Sequence, residues 1–133
     1  MRTVATRLLP ASDLRAELEA LAARERLRAA IVLTCVGSLS EVGLRMANRS
    51  GTERFTGDYE IVSLVGTISP DGPHLHMSVS DATGTTIGGH VQDGNIVRTT
   101  AEVVLGELTD VVFRRPIDPD TTFDELEIAP RDG

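Results

Sequence analysis

The 133-residue chain is acidic, with 20 aspartates and glutamates against 13 basic residues and a net charge of −7. This length suits one hydrophobic core, so we expect a single domain over residues 1–133 with its core at about 3–115. Nucleic-acid affinity depends on neutralising phosphates, and the acidic balance therefore makes direct DNA binding unfavourable. No apolar run reaches the roughly 20 residues that span a bilayer, and the N-terminus lacks a signal-peptide core. We expect a cytoplasmic protein with no membrane association.

The core must be largely aliphatic, because aromatic residues make up only 3% of the chain and tryptophan is absent. Cys35, the single cysteine, lies in the apolar run at residues 31–36 with no obvious base near it in the sequence. An inert buried thiol is expected there, and an intrachain disulfide is excluded.

The predicted elements begin with a helix over residues 12–26. Ser12 or Asp13 can cap it, and leucines then recur with helical spacing on one face. Strands are predicted for the apolar or β-branched runs that follow, interrupted by a turn at 37–41: residues 31–36, 42–47, 59–68, 75–80, 85–91, 96–105 and 111–115, with an edge strand at 123–128. One helix followed by many strands is typical of an α/β (α+β) domain whose central mixed or antiparallel sheet is covered by helix.

The C-terminal segment, residues 116–133, carries six acidic residues and one arginine. Its composition predicts a solvated edge of the domain or the rim of a subunit contact.

Two of the three histidines, His76 and His90, fall on neighbouring predicted strands, and His74 directly precedes the first of them. Residues two apart in a strand share a face, so His74 and His76 point away from the apolar residues between and after them. A three-residue hairpin loop at 82–84, with Gly84 in the left-handed position, would place His76 directly opposite His90. Cβ atoms of such opposed residues lie about 4.5–5.5 Å apart, and His74 lies two residues along on the same face.

Three converging imidazoles are typical of an open Zn²⁺ site, in which three protein ligands leave one position free. We therefore predict that His74, His76 and His90 bind a divalent metal, most readily zinc. The glycines at positions 88 and 89 would remove side-chain bulk where a ligand approaches. The alternative is a polar sheet face whose histidines are hydrogen-bonded at a subunit contact.

Two carboxylates interrupt otherwise apolar strands, Glu60 and Glu102. A buried carboxylate needs a partner, so either could be a fourth metal ligand, a group that orients a ligand, or a general base. Alternatively, both side chains face the solvent.

Several short motifs occur in a characteristic order, and together they resemble the PPC domain (plant and prokaryote conserved domain, DUF296) in its stand-alone prokaryotic form. The resemblance extends from about Thr3 to Arg115. The motifs are Gly37-Ser38-Leu39-Ser40, Leu44-Arg45, Tyr59-Glu60-Ile61-Val62-Ser63-Leu64-Val65-Gly66-Thr67, His74-Leu75-His76, Gly88-Gly89-His90 and Thr99-Thr100-Ala101-Glu102-Val103.

The resemblance implies a sandwich-like fold around a central sheet, a homotrimer, and a metal such as zinc on the histidine trio. It also implies that Arg45 and Glu60 line a cleft shared between subunits. Plant members combine the domain with DNA-contacting AT-hooks, whereas this chain offers only Arg114-Arg115-Pro116 in place of a hook. For the prokaryotic form the resemblance supplies no established reaction.

Two functions follow as hypotheses. The first is a metal-binding module, acting as an enzyme or a small-molecule sensor through an open site, with Arg45, Glu60 and Glu102 as ligand-contacting candidates. The second is a regulatory or interaction protein in which the trimer is the functional unit and the metal is structural. A cupin-like metalloenzyme fits less well, because the glutamate expected a few residues after the histidine pair is missing.

Overall fold

The computed structural model describes residues 1–132, in which one helix and eight strands follow one another along the chain. The elements are β1 (Arg2–Leu8), α1 (Leu14–Arg24), β2 (Ala30–Arg45), β3 (Glu53–Ser69), β4 (Gly72–Ser80), β5 (Thr86–Val91), β6 (Ile96–Glu107), β7 (Val111–Arg114) and β8 (Glu127–Pro130). This arrangement confirms the predicted α+β class, with a sheet that is antiparallel in every pairing.

The main sheet has six strands in the order β1-β6-β2-β3-β4-β5. Strand β2 is long enough to pair with two different strands along the same edge. Its first part pairs with β6, and its end pairs with β5. Since β2 also pairs with β3, the four strands β2, β3, β4 and β5 form a closed ring. Leu44 lies opposite Val91 and Arg45 opposite His90 at the pairing that closes it.

The helix begins one residue after Asp13, whose carboxylate accepts a hydrogen bond from the backbone N–H of Ala16 at 3.1 Å. Such a cap satisfies a donor that the first turn leaves free. Three leucines of the helix are buried against the sheet, at positions 14, 18 and 21. The helix ends earlier than predicted because Arg26 adopts a left-handed conformation, with φ of 56°.

The predicted turn at residues 37–41 is wrong, because β2 runs through it without interruption. A Cβ at Gly37 would lie 2.5 Å from the carbonyl oxygen of Thr100 on β6. The glycine therefore permits a close approach of two strands at a register shift. It does not mark a turn, as the sequence had suggested.

Strand β1 was not predicted, since its residues are mostly polar or exposed and only Leu8 is buried. It lies at the sheet edge, paired with β6. The C-terminal edge strand is present but displaced: β8 covers 127–130 and pairs with β7 in a separate two-stranded sheet. Arg131 then reaches the buried carboxylate of Glu107 at 3.3 Å. The acidic segment is largely exposed, as expected, but its end contacts the rest of the domain through this ion pair.

The hydrophobic core lies between α1 and the curved sheet and is aliphatic, as the composition predicts. Cys35 belongs to it, which confirms the expected burial, and this burial raises the pKa of its thiol to about 11 and so disfavours the reactive thiolate. Among residues 1–132, no helix has the length and apolar character that crossing a membrane requires.

Candidate metal centre

The β4–β5 hairpin has the predicted loop and register. The Asp81 N–H donates to the carbonyl oxygen of Thr85 at 3.0 Å, and Gly84 is left-handed with φ of 84°. The Asp81 carboxylate also accepts hydrogen bonds from Thr83 and from the N–H of Thr85, which fixes the loop. His76 lies directly opposite His90 as a result, so this geometric prediction is confirmed.

The three imidazoles form a nearly equilateral triangle. Ring centroids are 5.1 Å apart for His74 and His76, 5.2 Å for His74 and His90, and 5.6 Å for His76 and His90. One donor nitrogen from each ring lies within 4.8 Å of the other two. The alternation of β4 causes this, because the intervening Leu75 and the following Met77 are buried in the core.

Arg45 lies beside the triangle because β2 closes onto β5 at this point. It is the cross-strand partner of His90, and opposed residues of an antiparallel pair share a face. The closure explains Gly89, where an added Cβ would lie 2.7 Å from the backbone oxygen of Arg45. The interpretation of this glycine as space for a ligand is therefore corrected: the group that approaches is the β2 backbone.

The electrostatic environment favours the neutral form of His74 and His90. Partial burial, followed by the positive charge of Arg45, lowers the pKa of His90 from its ordinary 6.5 to about 4. Burial and the charge of Arg115 lower the pKa of His74. Within the described residues, the Nδ1 atom of His90 is buried and has no hydrogen-bond partner. A neutral imidazole with a free nitrogen is the form that binds a metal.

Arg115, which the sequence offered only as part of a poor AT-hook, contacts the site directly. Its Nη2 donates to Thr67 Oγ1 at 3.0 Å and lies 3.2 Å from His74 Nδ1. Its backbone N–H donates to the Asp71 carboxylate at 2.8 Å. No linear signal pairs residue 115 with residue 74; the return of the chain after β7 brings them together.

Glu125 is a second residue that the sequence did not single out. With Arg115 and two of the histidines it lines a pocket of about 350 Å³, and its negative charge opposes the lowering of the His74 pKa. A larger cleft of about 880 Å³ also borders the triangle, and its lining includes Arg45, His74, His90, Arg115 and Glu125. The C-terminal segment therefore forms part of the wall of the site.

Glu60 and Glu102 are not brought to the histidines within this chain. Glu60 lies opposite Ser38 and Ser80, and Glu102 lies opposite Val36 on β2. Both side chains are exposed, and neither lines the pockets beside the triangle. Their role in ligand binding stays a prediction, and any contact with the site would require a neighbouring subunit.

A model of the Plants and Prokaryotes Conserved (PCC) domain matches residues 1–109, a range that includes the three histidines and excludes Arg115 and Glu125. The Bifunctional protein GlmU of Synechococcus sp. (strain JA-2-3B'a(2-13)) is 46% identical over 127 residues. That match covers 96% of this chain and 20% of the relative, so the chain spans about a fifth of the relative's length.

Two solved structures share the fold. A hypothetical protein from Salmonella enterica is 43% identical with a TM-score of 0.96, over 98% of this chain and 94% of the other. The metal-containing protein AF0104 from Archaeoglobus fulgidus is 20% identical with a TM-score of 0.81, over 94% and 92% of the two chains. The family match and the fold agree with the resemblance found in the sequence, and the chain belongs to the Plants and Prokaryotes Conserved (PCC) domain family.

Proposed function

We propose that this domain is a metal-binding module that holds one divalent cation, of the zinc type, on His74, His76 and His90. Three protein ligands leave one coordination position open, which a small molecule can occupy. The observation that carries the proposal is that three donor nitrogens, one from each histidine, lie within 4.8 Å of one another. In addition, the Nδ1 atom of His90 is buried and has no hydrogen-bond partner in the described chain.

The donor geometry requires a small adjustment to accept zinc. At Zn–N distances of about 2.0–2.1 Å, tetrahedral ligand atoms lie about 3.3 Å apart. The nitrogens, which lie within 4.8 Å of one another, must therefore approach by up to about 1.5 Å. Side-chain rotation can supply this because His76 is exposed. The backbone positions are already set by the hairpin register, so no strand needs to move.

A metal-free polar face explains these observations less well. Burial disfavours charge on His74 and His90, and both are close to arginines, so protonated rings would repel their surroundings. Neutral rings leave His90 Nδ1 buried without a partner in residues 1–132, which costs free energy. A cation supplies that partner. AF0104, which shares the fold, is named as metal-containing, and this also supports the proposal.

A bound zinc-type cation would supply Lewis acidity at its open position. The chain's own residues shape what reaches that position. Arg115 places a guanidinium beside His74, Arg45 places another beside His90, and Glu125 contributes a carboxylate to the wall. These groups can bind and orient a ligand, and a carboxylate can accept its proton.

Elemental analysis of the purified protein tests the metal assignment. We expect one divalent ion per chain in the wild type and loss of the ion when His76 and His90 are both replaced by alanine. The double variant Glu60→Gln/Glu102→Gln serves as the matched control, and we expect it to keep its metal. Unchanged stoichiometry in the histidine variant would refute the assignment.

We further propose that the module assembles as a homotrimer, with Arg45 and Glu60 lining a cleft between subunits. Apolar side chains on the sheet support self-association: Val36, Val62 and Val65 are 61%, 59% and 54% exposed. Burying such residues against identical neighbours stabilises an assembly, and closed symmetry is its usual form.

The same exposed residues favour the second candidate function, a regulatory or interaction protein in which the metal is structural. The mass of the assembly, measured by light scattering in dilute solution with and without a chelator, distinguishes the two candidate functions. A trimer that persists after metal removal supports an open ligand site, whereas dissociation supports a structural metal. A monomeric or dimeric mass would contradict the proposed assembly.

A further inference from the structure

The cleft beside the histidine triangle carries a local charge opposite to that of the whole protein. Four arginines and three carboxylates line it, so a bound divalent cation brings its formal charge to +3, although the chain carries −7. The lining charges are those of Arg15, Arg45, Arg49, Arg115, Asp71, Asp124 and Glu125.

Two of these arginines are half-buried and have no ion-pair partner in the part of the chain that the structure describes. Arg15 forms ion pairs with Glu19 and Asp93, but neither Arg45 nor Arg115 takes part in an ion pair within residues 1–132. In the same range, the Nε atom of Arg115 is buried without a hydrogen-bond partner. The Arg115 guanidinium already donates to Thr67 Oγ1 and to the Asp124 carbonyl oxygen. A partly desolvated guanidinium with some donors left unpaired is still unfavourable, and an arriving oxyanion would relieve this.

We propose that the cleft binds a small organic anion whose carboxylate or phosphate oxygens contact the guanidinium groups of Arg45 and Arg115 next to the three histidines. The inference rests on the proposed metal function, since one oxygen would occupy the open coordination position. The cleft volume of about 880 Å³ lies in the range of small-molecule sites, about 300–1,000 Å³, so an organic anion fits it better than a bare inorganic ion.

The two arginines approach the triangle from different elements, which gives the site directionality. Arg45 extends from the end of β2, opposite His90, whereas Arg115 follows β7 and contacts His74. Guanidinium groups match planar or tetrahedral oxyanions with paired donors, which an ammonium group cannot do. The nearby Asp71 carboxylate accepts from the backbone of Arg115. That contact uses the backbone N–H, so within residues 1–132 the Asp71 carboxylate forms no ion pair with the guanidinium.

Titration of the Co²⁺-substituted protein tests the proposal, because the visible spectrum of cobalt changes when an anion enters its coordination sphere. Malonate and inorganic phosphate are the two oxyanion probes, and neutral malonamide is the isosteric control. We expect saturable spectral changes with at least one of the two anions and none with malonamide. The better probe identifies the carboxylate or the phosphate class.

Variants assign the anion site to the arginines. Arg45→Met should weaken anion binding about tenfold or more, as expected for a lost charge-assisted hydrogen bond, and Arg45→Lys should restore part of it. Arg98→Met is the matched control, because Arg98 is exposed and paired with Asp58, and it should leave binding unchanged. Equal binding by malonamide, or equal weakening in both methionine variants, would overturn the inference while the metal assignment stands.

A separate experiment applies if the metal assignment is wrong. If elemental analysis finds no bound metal, thermal denaturation of the metal-free protein with malonate or phosphate decides the remaining question. Stabilisation that depends on Arg45 supports an anion site without metal; the absence of any such stabilisation refutes the anion site as well.

Discussion

The guanidinium Nη2 of Arg115 lies 3.2 Å from Nδ1 of His74. A guanidinium has only donors, so Nδ1 must be the acceptor of this contact and the neutral ring carries its proton on Nε2. A metal that takes Nδ1 must displace the arginine, and a metal that takes Nε2 requires the ring proton to move to Nδ1, which also ends the arginine contact. Arg115 therefore opposes metal binding at His74 in the absence of an anion.

Removing this cation is expected to strengthen metal binding. In Arg115→Met, the loss of a positive charge near a dication should lower the zinc dissociation constant about tenfold at low ionic strength. Competition with a chromophoric chelator measures the effect, and Arg114→Met, which alters an exposed neighbour, is the control. Weaker zinc binding in Arg115→Met would show instead that the arginine orients His74 as a ligand.

The stability of the metal-free protein should depend on pH through His90. Its pKa is lowered to about 4 in the folded state, so below pH 6.5 the unfolded chain binds a proton that the folded protein excludes. This contribution to stability is complete above pH 6.5 and is lost as the pH falls towards 4. Urea denaturation with EDTA should show a shallower decline for His90→Gln than for the wild type. Parallel curves would contradict the lowered pKa.

The closure of the strand ring should depend on Gly89. In Gly89→Ala the new Cβ would lie 2.7 Å from the Arg45 carbonyl oxygen, so β2 and β5 must separate. We expect a loss of about 1–3 kcal/mol in the free energy of unfolding, the usual cost of overpacking. Gly51→Ala is the control, because a Cβ there meets no atom within 4 Å. If Gly89→Ala and the wild type unfolded at the same urea concentration, the pairing of β2 with β5 would not be tight at this position.

The isolated domain should not bind duplex DNA tightly at physiological salt, because its net charge of −7 repels phosphate. Fluorescence anisotropy with labelled duplexes at several salt concentrations measures this. A sub-micromolar complex that weakens steeply with salt would show that the cleft arginines act as a phosphate-binding surface.

The part of the site that lies in one hairpin could be predicted from the sequence. Gly84 and the alternation of β4 are local signals, and they determine the register that opposes His76 to His90. Arg115 and Glu125 could not be predicted in this way, because their approach to His74 depends on how the chain returns after β7. Pairing between distant segments leaves no periodic trace in a single sequence.

The fold shows the same division. Leucine spacing located the helix, since its buried face is a property of consecutive residues. Gly37 was misinterpreted because a glycine at a close strand crossing and a glycine in a turn look alike in sequence. Strand β1 was missed because an edge strand with one face in solvent needs few apolar residues.

The three imidazoles belong to a single hairpin, β4 and β5, whereas Arg45 comes from β2 and Arg115 from the segment after β7. The proposed metal donors and the proposed ligand-contacting residues therefore lie in separate stretches of the sequence. Substitutions in β2 or beyond β7 could change the preferred ligand without altering the donors. Conversely, grafting the hairpin into another antiparallel sheet would transfer the donors and leave the guanidinium groups behind.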